Sequence, residues 1–591
     1  MLQLVNNKKN YFAEYESVTG QQNYLNALQN YFLLKGQQTN VYKCFLPQAW
    51  TYCTNEGISA FIHPESIYDD PNGGQLRKII YGKLRAHFQF INEKMLFAEV
   101  GHPTIFGLNI YSNRPTTSFI SISNLFDSVT VDYCFDNQTG DTIEGIKDSN
   151  GQWNIKGNRS RILKIGSKEL KMIATVFDNV EDYQETRLPS LHATQLLQIC
   201  EKFGQSTKIA DFENVVTTSQ MLNETGAQDD GTIKRGTFFP ENSRSMIYSG
   251  PHIWVANPIY KTPRAICKEK GDYDIIDATF IPNRYIPRTN YRIAISHDEL
   301  RKRLPFNHQG KPYTDYYRVA FRRRLNVKQE RTLIGAIIAP GTLHTNLLNS
   351  IEFEKSEDMV LFSGYTASLP FDFIIKSLGK GDLYDDSIKK LPFLRTKHAK
   401  DICLRALRLN CLTEDYAKLW KESFCEEYRS SAYSIESPML DTKCFSRLNG
   451  EWSKSHAVQS DYERYISLIE LDVLCCMAFG ITLNELKVMY RIQFPVLQSY
   501  STDTWYDSNG RITFTNNRSL VGVGFDRKEF ELNMKDAPAG KKFYRTIMDD
   551  TMPGGPVERT IEYVAPFDRC SREQDYEIAW KFFEEKYGDT Q

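Results

Sequence analysis

Between Gly57 and Tyr111 three short apolar runs alternate with segments of helical spacing or turn-forming residues. GISAFIHP ends in a proline loop, Gly74 to Leu84 reads as a helix, AHFQFINE is again strand-like, and a last strand runs from Thr104 to Tyr111. Strands and helices alternating at this length predict an α/β sheet covered by helices. Such sheets hold their ligands at the carboxyl ends of the strands. Residues 22–53 extend the pattern upstream, with apolar and polar positions mixed at helical spacing.

With 591 residues the chain has room for about three to five domains. A hydrophobic share of 41% and a charged share of 25% exclude wholesale disorder. There is no apolar run of about 18 residues, and MLQLVNNKKNYF lacks the apolar core of a signal peptide. The twelve cysteines form no CxxC pair, and the ten histidines form no HxH or HExxH pattern. The expectation is a reduced, cytoplasmic protein that has no structural metal and does not engage a membrane.

Charge is unevenly distributed. From Arg284 to Arg331 there are 13 Lys or Arg against 4 Asp or Glu, although the whole chain is close to neutral. Seven aromatics are interleaved there, including Tyr285, Tyr291, Tyr316 and Phe321. A basic segment of this kind points to phosphate, because counterion release drives nucleic-acid affinity. The alternative is a basic face compensated by acidic neighbours in space.

The motifs in the first 115 residues resemble the later motifs of amino-methylating DNA methyltransferases of the TaqI-like adenine type. Asn40, Val41, Tyr42 and Phe45 match that family's helix, and Ile62, His63 and Pro64 its strand with a proline loop. Asn92, Glu93, Phe97 and Val100 match its N/G-E-x-x-F-x-x-V turn, before the strand from Thr104. HPESIYDDPNGGQLR and LRAHFQFINE are similar to large restriction-modification methyltransferases of DISARM- and BREX-like phage-defence systems. The resemblance implies a partial Rossmann-like methyltransferase sheet, then an α+β target-recognition domain and a helical carboxyl-terminal region. It also implies S-adenosyl-L-methionine as cofactor and double-stranded DNA as partner. Phe97, with Phe106 second, falls at the aromatic that supports the target adenine, and Tyr42 lies towards the cofactor side.

In that family a glycine-rich cofactor loop and an N/D-P-P-Y/F tetrad precede these motifs, and only about 40 residues precede them here. The expectation is therefore a recognition half that needs an amino-terminal methyltransferase partner polypeptide, with a helicase or nuclease of a defence system as a possible further partner. Two strings allow a complete permuted enzyme instead: Asn257-Pro258-Ile259-Tyr260 as tetrad and Val521-Gly522-Val523-Gly524 as cofactor loop. A non-catalytic defence-complex scaffold is the third reading.

The expected division is 1–115 for the second half of the methyltransferase fold and 116–240 for a β-rich connector with a helix. A recognition module follows at 241–395, a helical region at 396–500, and a hairpin with a terminal helix at 501–591. FISISNLF and SVTVDYCF carry the β-rich expectation. Arg288, Asn290 and Tyr291 combine a guanidinium, an amide and a ring after Pro287, a mix suited to base edges or to local capping. Arg322, Arg323 and Arg324 are candidates for DNA contact, and Lys380 for a phosphate. Leu404, Leu407 and Leu419 mark helices, as do SDYERYISLIELDVLCCMAFG and the shorter run before Pro495. Asn509-Gly510 marks a hairpin turn. Glu352-Phe353-Glu354-Lys355 and Asp441-Thr442-Lys443 fit half of a metal-dependent nuclease centre, but neither has a convincing upstream Asp.

Overall fold

The computed structural model describes residues 5–38, 40–136, 145–148, 151–178, 180–269 and 271–588. The chain divides into two compact units, Met1–Gly204 and Gln205–Gln591. The architecture is mixed α/β with a helical carboxyl-terminal region. Boundaries anticipated near 115 and 240 are crossed by strand pairing within one unit or the other.

Unit 1 begins with helices α1 (Val5–Asn26) and α2 (Val41–Tyr52); Asn40 caps α2 by accepting from the Tyr42 N–H. The strands are β1 (Ile58–Pro64), β2 (Leu84–Ile91), β3 (Ile105–Ser112), β4 (Ser118–Leu125) and β5 (Leu163–Gly166), in the sheet order β1-β3-β2-β4-β5. β3 lies antiparallel between β1 and β2, β4 runs parallel to β2, and β5 is antiparallel to β4. Strand alternation gives this sheet two unlike faces. Phe88, Phe90, Phe106 and Ile122 cluster with Leu125 and Cys134 on one face. His63, His87, Gln89, Asn109 and Ser121, all buried, occupy the other.

The β-rich expectation for 116–180 holds for FISISNLF, which is β4, and fails for SVTVDYCF, where Val129–Phe135 is a helix. Tertiary packing overrides the β-branched pattern there: Val131 and Cys134 cover the apolar face, and Thr130 Oγ1 donates to the Ile155 carbonyl (2.8 Å). The helix expected to open at Pro189 and Ser190 begins at Thr194.

Unit 2 is built on an antiparallel sheet in the order Gly335–Ile338, Arg318–Arg322, Leu348–Phe353, Val216–Ser219. The Leu348–Phe353 strand is buried throughout, as is most of the Ser356–Ala367 helix that follows it. Ala399–Asn410, Asp461–Ala478 and Arg572–Tyr587 are the long helices of the carboxyl-terminal half. Buried ion pairs Arg405–Glu470 (2.8 Å) and Arg408–Glu463 (2.7 Å) join the first two. Pro495 starts a new helix, Pro495–Thr502, where its missing N–H is harmless. The expected hairpin forms from Thr504–Tyr506 and Ile512–Thr515, with Gly510 at φ 75° in its turn.

Candidate functional site

The polar face of the unit 1 sheet is organised around Glu65, just beyond β1. Its carboxylate accepts from His87 Nε2 (3.0 Å) and Gln89 Nε2 (3.3 Å), and Gln89 Nε2 also donates to Ser190 Oγ (2.6 Å). Gly107 lets the carboxylate sit against β3: a Cβ there would meet Glu65 Oε1 at 2.1 Å and push the Glu65 side chain aside. Tyr42 stacks on His63 with ring centroids 5.2 Å apart, and its hydroxyl pairs with Ser66 Oγ (2.6 Å). Desolvation pushes the Tyr42 hydroxyl up to about 12 and lowers the His63 imidazole, so both are neutral at pH 7.

The Asn92 turn is a backbone clamp. The buried Asn92 side chain donates to the Phe97 and Val100 carbonyls (2.9 and 2.8 Å) and accepts from the Phe97 N–H (3.0 Å). It holds Phe97 edge-on to Phe106 (5.0 Å), which stacks on Phe90 (5.4 Å). Phe97 is 41% exposed and Phe106 is buried, so Phe97 is the one able to meet a ligand. Tyr42 packs on the polar-face residue His63 and Phe97 on the apolar-face residue Phe106. Within this unit they belong to opposite faces of the sheet.

In unit 2 most of the anticipated DNA contacts already have partners within the fold. Arg288 pairs with Asp550 (2.7 Å) and lies over the Phe239 ring (4.2 Å). Asn290 donates to Tyr273 Oη (2.8 Å) and accepts from Thr237 Oγ1 (2.9 Å), while the Tyr291 hydroxyl donates to Glu224. Arg322 donates to the Ile253 carbonyl (2.6 Å) and sits over Trp254 (4.9 Å). Arg323 and Arg324 share Asp382 at 3.8 and 3.1 Å, and Arg324 alone of the triplet is well exposed. Lys380 pairs with Asp386 (3.3 Å) and Ser387 Oγ (2.8 Å). Much of the basic segment is thus compensated by acids distant in sequence, the second of the two readings of its charge. Of the nuclease-like strings, Glu352 is buried in a strand and Asp441 is paired with Arg447.

A cationic ribbon that sequence reading missed lies nearby. The strands Ile233–Phe238 and Thr289–Ile293 pair so that Lys234 and Arg292 stand directly opposite each other, both exposed. Arg292 lies across the Phe238 ring, 3.8 Å from its centroid. Among the described residues neither cation has a carboxylate within ion-pair distance. Directly opposed like charges destabilise a strand pair. The signal in the sequence was weak, since Lys234 and Arg235 form only a dipeptide outside the basic segment.

Unit 2 also carries an open pocket of about 950 Å³, to which Asn257, Tyr260, Val521, Gly522, Val523 and Gly524 all contribute. The permuted reading requires these two strings to share a site, and both line this pocket. Their local chemistry does not suit the roles: Asn257 Oδ1 accepts from the Ile259 N–H (3.0 Å), and Tyr260 is stacked on Trp254 (5.1 Å) with Lys261 over its ring (5.2 Å). The glycine loop follows the turn Arg518–Leu520 and not a strand.

One carboxyl in the wall is strongly raised: desolvation pushes the part-buried Glu330 up to about 7, against the pull of Arg331. A carboxyl whose native pKa is raised binds its proton more tightly folded than unfolded. Stability therefore falls as pH rises from about 4 to about 7. Glu330→Gln, which mimics the protonated form, is expected to match wild type near pH 4 and to exceed it at pH 8 by about 1–3 kcal/mol. Urea unfolding followed by tryptophan fluorescence measures this; a variant less stable than wild type at pH 8 would refute it.

Among the described residues no group of three or more His, Cys, Asp or Glu is arranged to hold a metal ion, and no helix is long and apolar enough to cross a membrane. No protein-family model matches the chain, and no curated protein matches it. Two solved structures are similar in part. One is the Type IIL restriction-modification enzyme MmeI in complex with DNA, at 11% identity over 81% of this chain and 55% of that one, with a TM-score of 0.36. The other is the type IIG restriction endonuclease BpuSI, at 12% identity over 80% of this chain and 52% of that one, with a TM-score of 0.23. The chain thus spans about half the length of each of these two structures.

Proposed function

We propose that this chain is the DNA-recognition and partial catalytic part of an adenine-specific (N6) DNA methyltransferase in a restriction-modification or phage-defence system. A partner polypeptide supplies the cofactor loop and the catalytic tetrad. The observation that carries this reading is the open edge of the unit 1 sheet. β1 is an edge strand whose outer side pairs with no strand among the described residues, and Ile58 and Ile62 on it are 70% and 55% exposed. Proteins ordinarily protect such an edge with charge, proline or a covering element. Phe45 and Tyr52 of α2 add further exposed apolar surface. A sheet left open in this way is suited to being continued by another polypeptide.

The residues of unit 1 supply only part of a site for S-adenosyl-L-methionine. Tyr42 provides an aromatic wall, and no GxG turn follows any of its described strands. When bound, the cofactor supplies the methyl group. This chain contributes the preset Phe97 ring on the base side and the unit 2 ribbon for the phosphate backbone.

The test is tritium transfer from labelled S-adenosyl-L-methionine to unmodified DNA. The purified chain alone should transfer nothing, and the polypeptide encoded beside it should restore incorporation into adenine. Robust transfer by the chain alone would favour the permuted enzyme, and silence in both cases would favour the scaffold.

A further inference from the structure

We propose that Arg292 reads a base: its guanidinium, held on the Phe238 ring, donates to the O6 and N7 edge of one guanine in the major groove of the target duplex. The inference rests on the DNA-recognition reading above, and it gives one of the two opposed ribbon cations a role beyond phosphate contact.

The ribbon has an inward and an outward face. Ile233, Tyr291 and Ile293 pack into the apolar cluster beneath it, together with Leu222 and Leu343. Strand alternation sends Lys234 and its cross-strand neighbour Arg292 to the other face, where the Phe238 ring also lies. A two-stranded ribbon is one of the elements that the major groove of DNA admits.

Lys234 and Arg292 have the same charge and unlike geometry. The Arg292 side chain runs along the outward face, passes over Gly236 and ends with Cζ 3.8 Å from the centroid of the Phe238 ring. That is van der Waals contact, and a guanidinium stacked on a ring keeps its N–H donors at the rim of the stack. None of these donors has an acceptor among the described residues. Two acids beside the ribbon are engaged elsewhere: Asp230 accepts from Thr232 Oγ1 (2.6 Å), and Glu224 from the Tyr291 hydroxyl. The attraction of the ring for a cation explains why Arg292 lies there. It does not explain why a second cation stands opposite, where like charges repel.

The geometry separates the two cations by task. A phosphate needs only positive charge, which an exposed lysine supplies from many rotamers. A base edge needs paired donors held in one plane, and guanine presents two neighbouring acceptors in the major groove. The Phe238 ring fixes the plane of Arg292 before DNA arrives, so less freedom is lost on contact. Either contact displaces counterions, so positional preference and not salt dependence tells them apart.

The experiment selects duplexes from a random-sequence pool with the full chain at low salt. Affinity is then measured for the enriched duplex and for copies with each base pair replaced in turn. Wild type is expected to show one guanine whose replacement by adenine weakens binding about tenfold to a hundredfold. In Arg292→Ala that penalty should fall to within about twofold of unity, while the other positions keep theirs. Phe238→Leu retains both charges and removes the platform; it should lose at least about threefold of the same preference and leave affinity for an unrelated duplex unchanged. In wild type, 7-deazaguanine at that position, which lacks the N7 acceptor, should reproduce part of the penalty. If Arg292→Ala weakens every duplex alike and leaves each positional penalty intact, Arg292 is a phosphate contact and the proposal is overturned. A wild type that enriches no guanine overturns it as well. Failure of wild type to bind any duplex would instead remove DNA recognition itself, and the base reading with it.

Discussion

Asp372→Ala is expected to cost unit 2 about 3–5 kcal/mol of stability, the range for removing one partner of a buried ion pair. Asp372 is fully buried and accepts from Arg331 Nε (2.6 Å) and from the backbone N–H groups of Thr332 and Leu333 (2.9 Å each). The substitution leaves a buried guanidinium and two buried amide donors without their acceptor. Arg331 retains the carbonyls of Ala367 and Ser368, which keeps the loss within that range. The double variant Arg331→Met, Asp372→Ala should recover part of the loss, since no charge then stays buried, but not all of it, since the two amides remain. Urea midpoints of the three proteins measure this; a shift below about 1 kcal/mol for the single variant would remove Asp372 as the anchor of this segment. Glu330 directly precedes the anchored residues, so the same change should also displace it from the pocket wall.

Charge reversal of the ribbon should separate function from stability. Lys234→Glu turns an opposed like-charge pair into an attractive one and should gain about 0.2–1 kcal/mol. The double variant Lys234→Glu, Arg292→Glu should lower duplex affinity by about tenfold to a hundredfold and make the salt dependence shallower by about two contacts. Salt titrations of binding and unfolding curves provide the two readouts. Unchanged affinity and slope would eliminate the ribbon as a phosphate-binding surface. Lys234→Glu alone, stabilising the fold while also weakening duplex binding, would be the signature of charges kept for a ligand and not for the fold.

Both experiments centre on residues whose roles are set by partners far away in the chain. Apolar periodicity was enough to locate β1, α2, β2 and β3 and the long helix Asp461–Ala478, because these patterns are local and repeat every two or every 3.6 residues. Gly510 marked its hairpin for an equally local reason, a backbone angle that other residues avoid. SVTVDYCF misled because its β-branched residues serve helix packing on the sheet.

Charge is different, since a guanidinium looks the same in the sequence whether it faces DNA or a carboxylate. Arg288 meets Asp550 and Arg331 meets Asp372, pairings that only the folded chain brings within 3 Å. The sequence by itself therefore determined α2 and β1 to β4 of unit 1 and the existence of a basic segment. Tertiary structure decided which of those charges were already neutralised, that Lys234 and Arg292 were left opposed, and that Glu330 was left without an ion-pair partner. The physical reason is range: backbone preference and side-chain periodicity act over a few residues, whereas desolvation and ion pairing depend on whatever the fold places within a few ångströms.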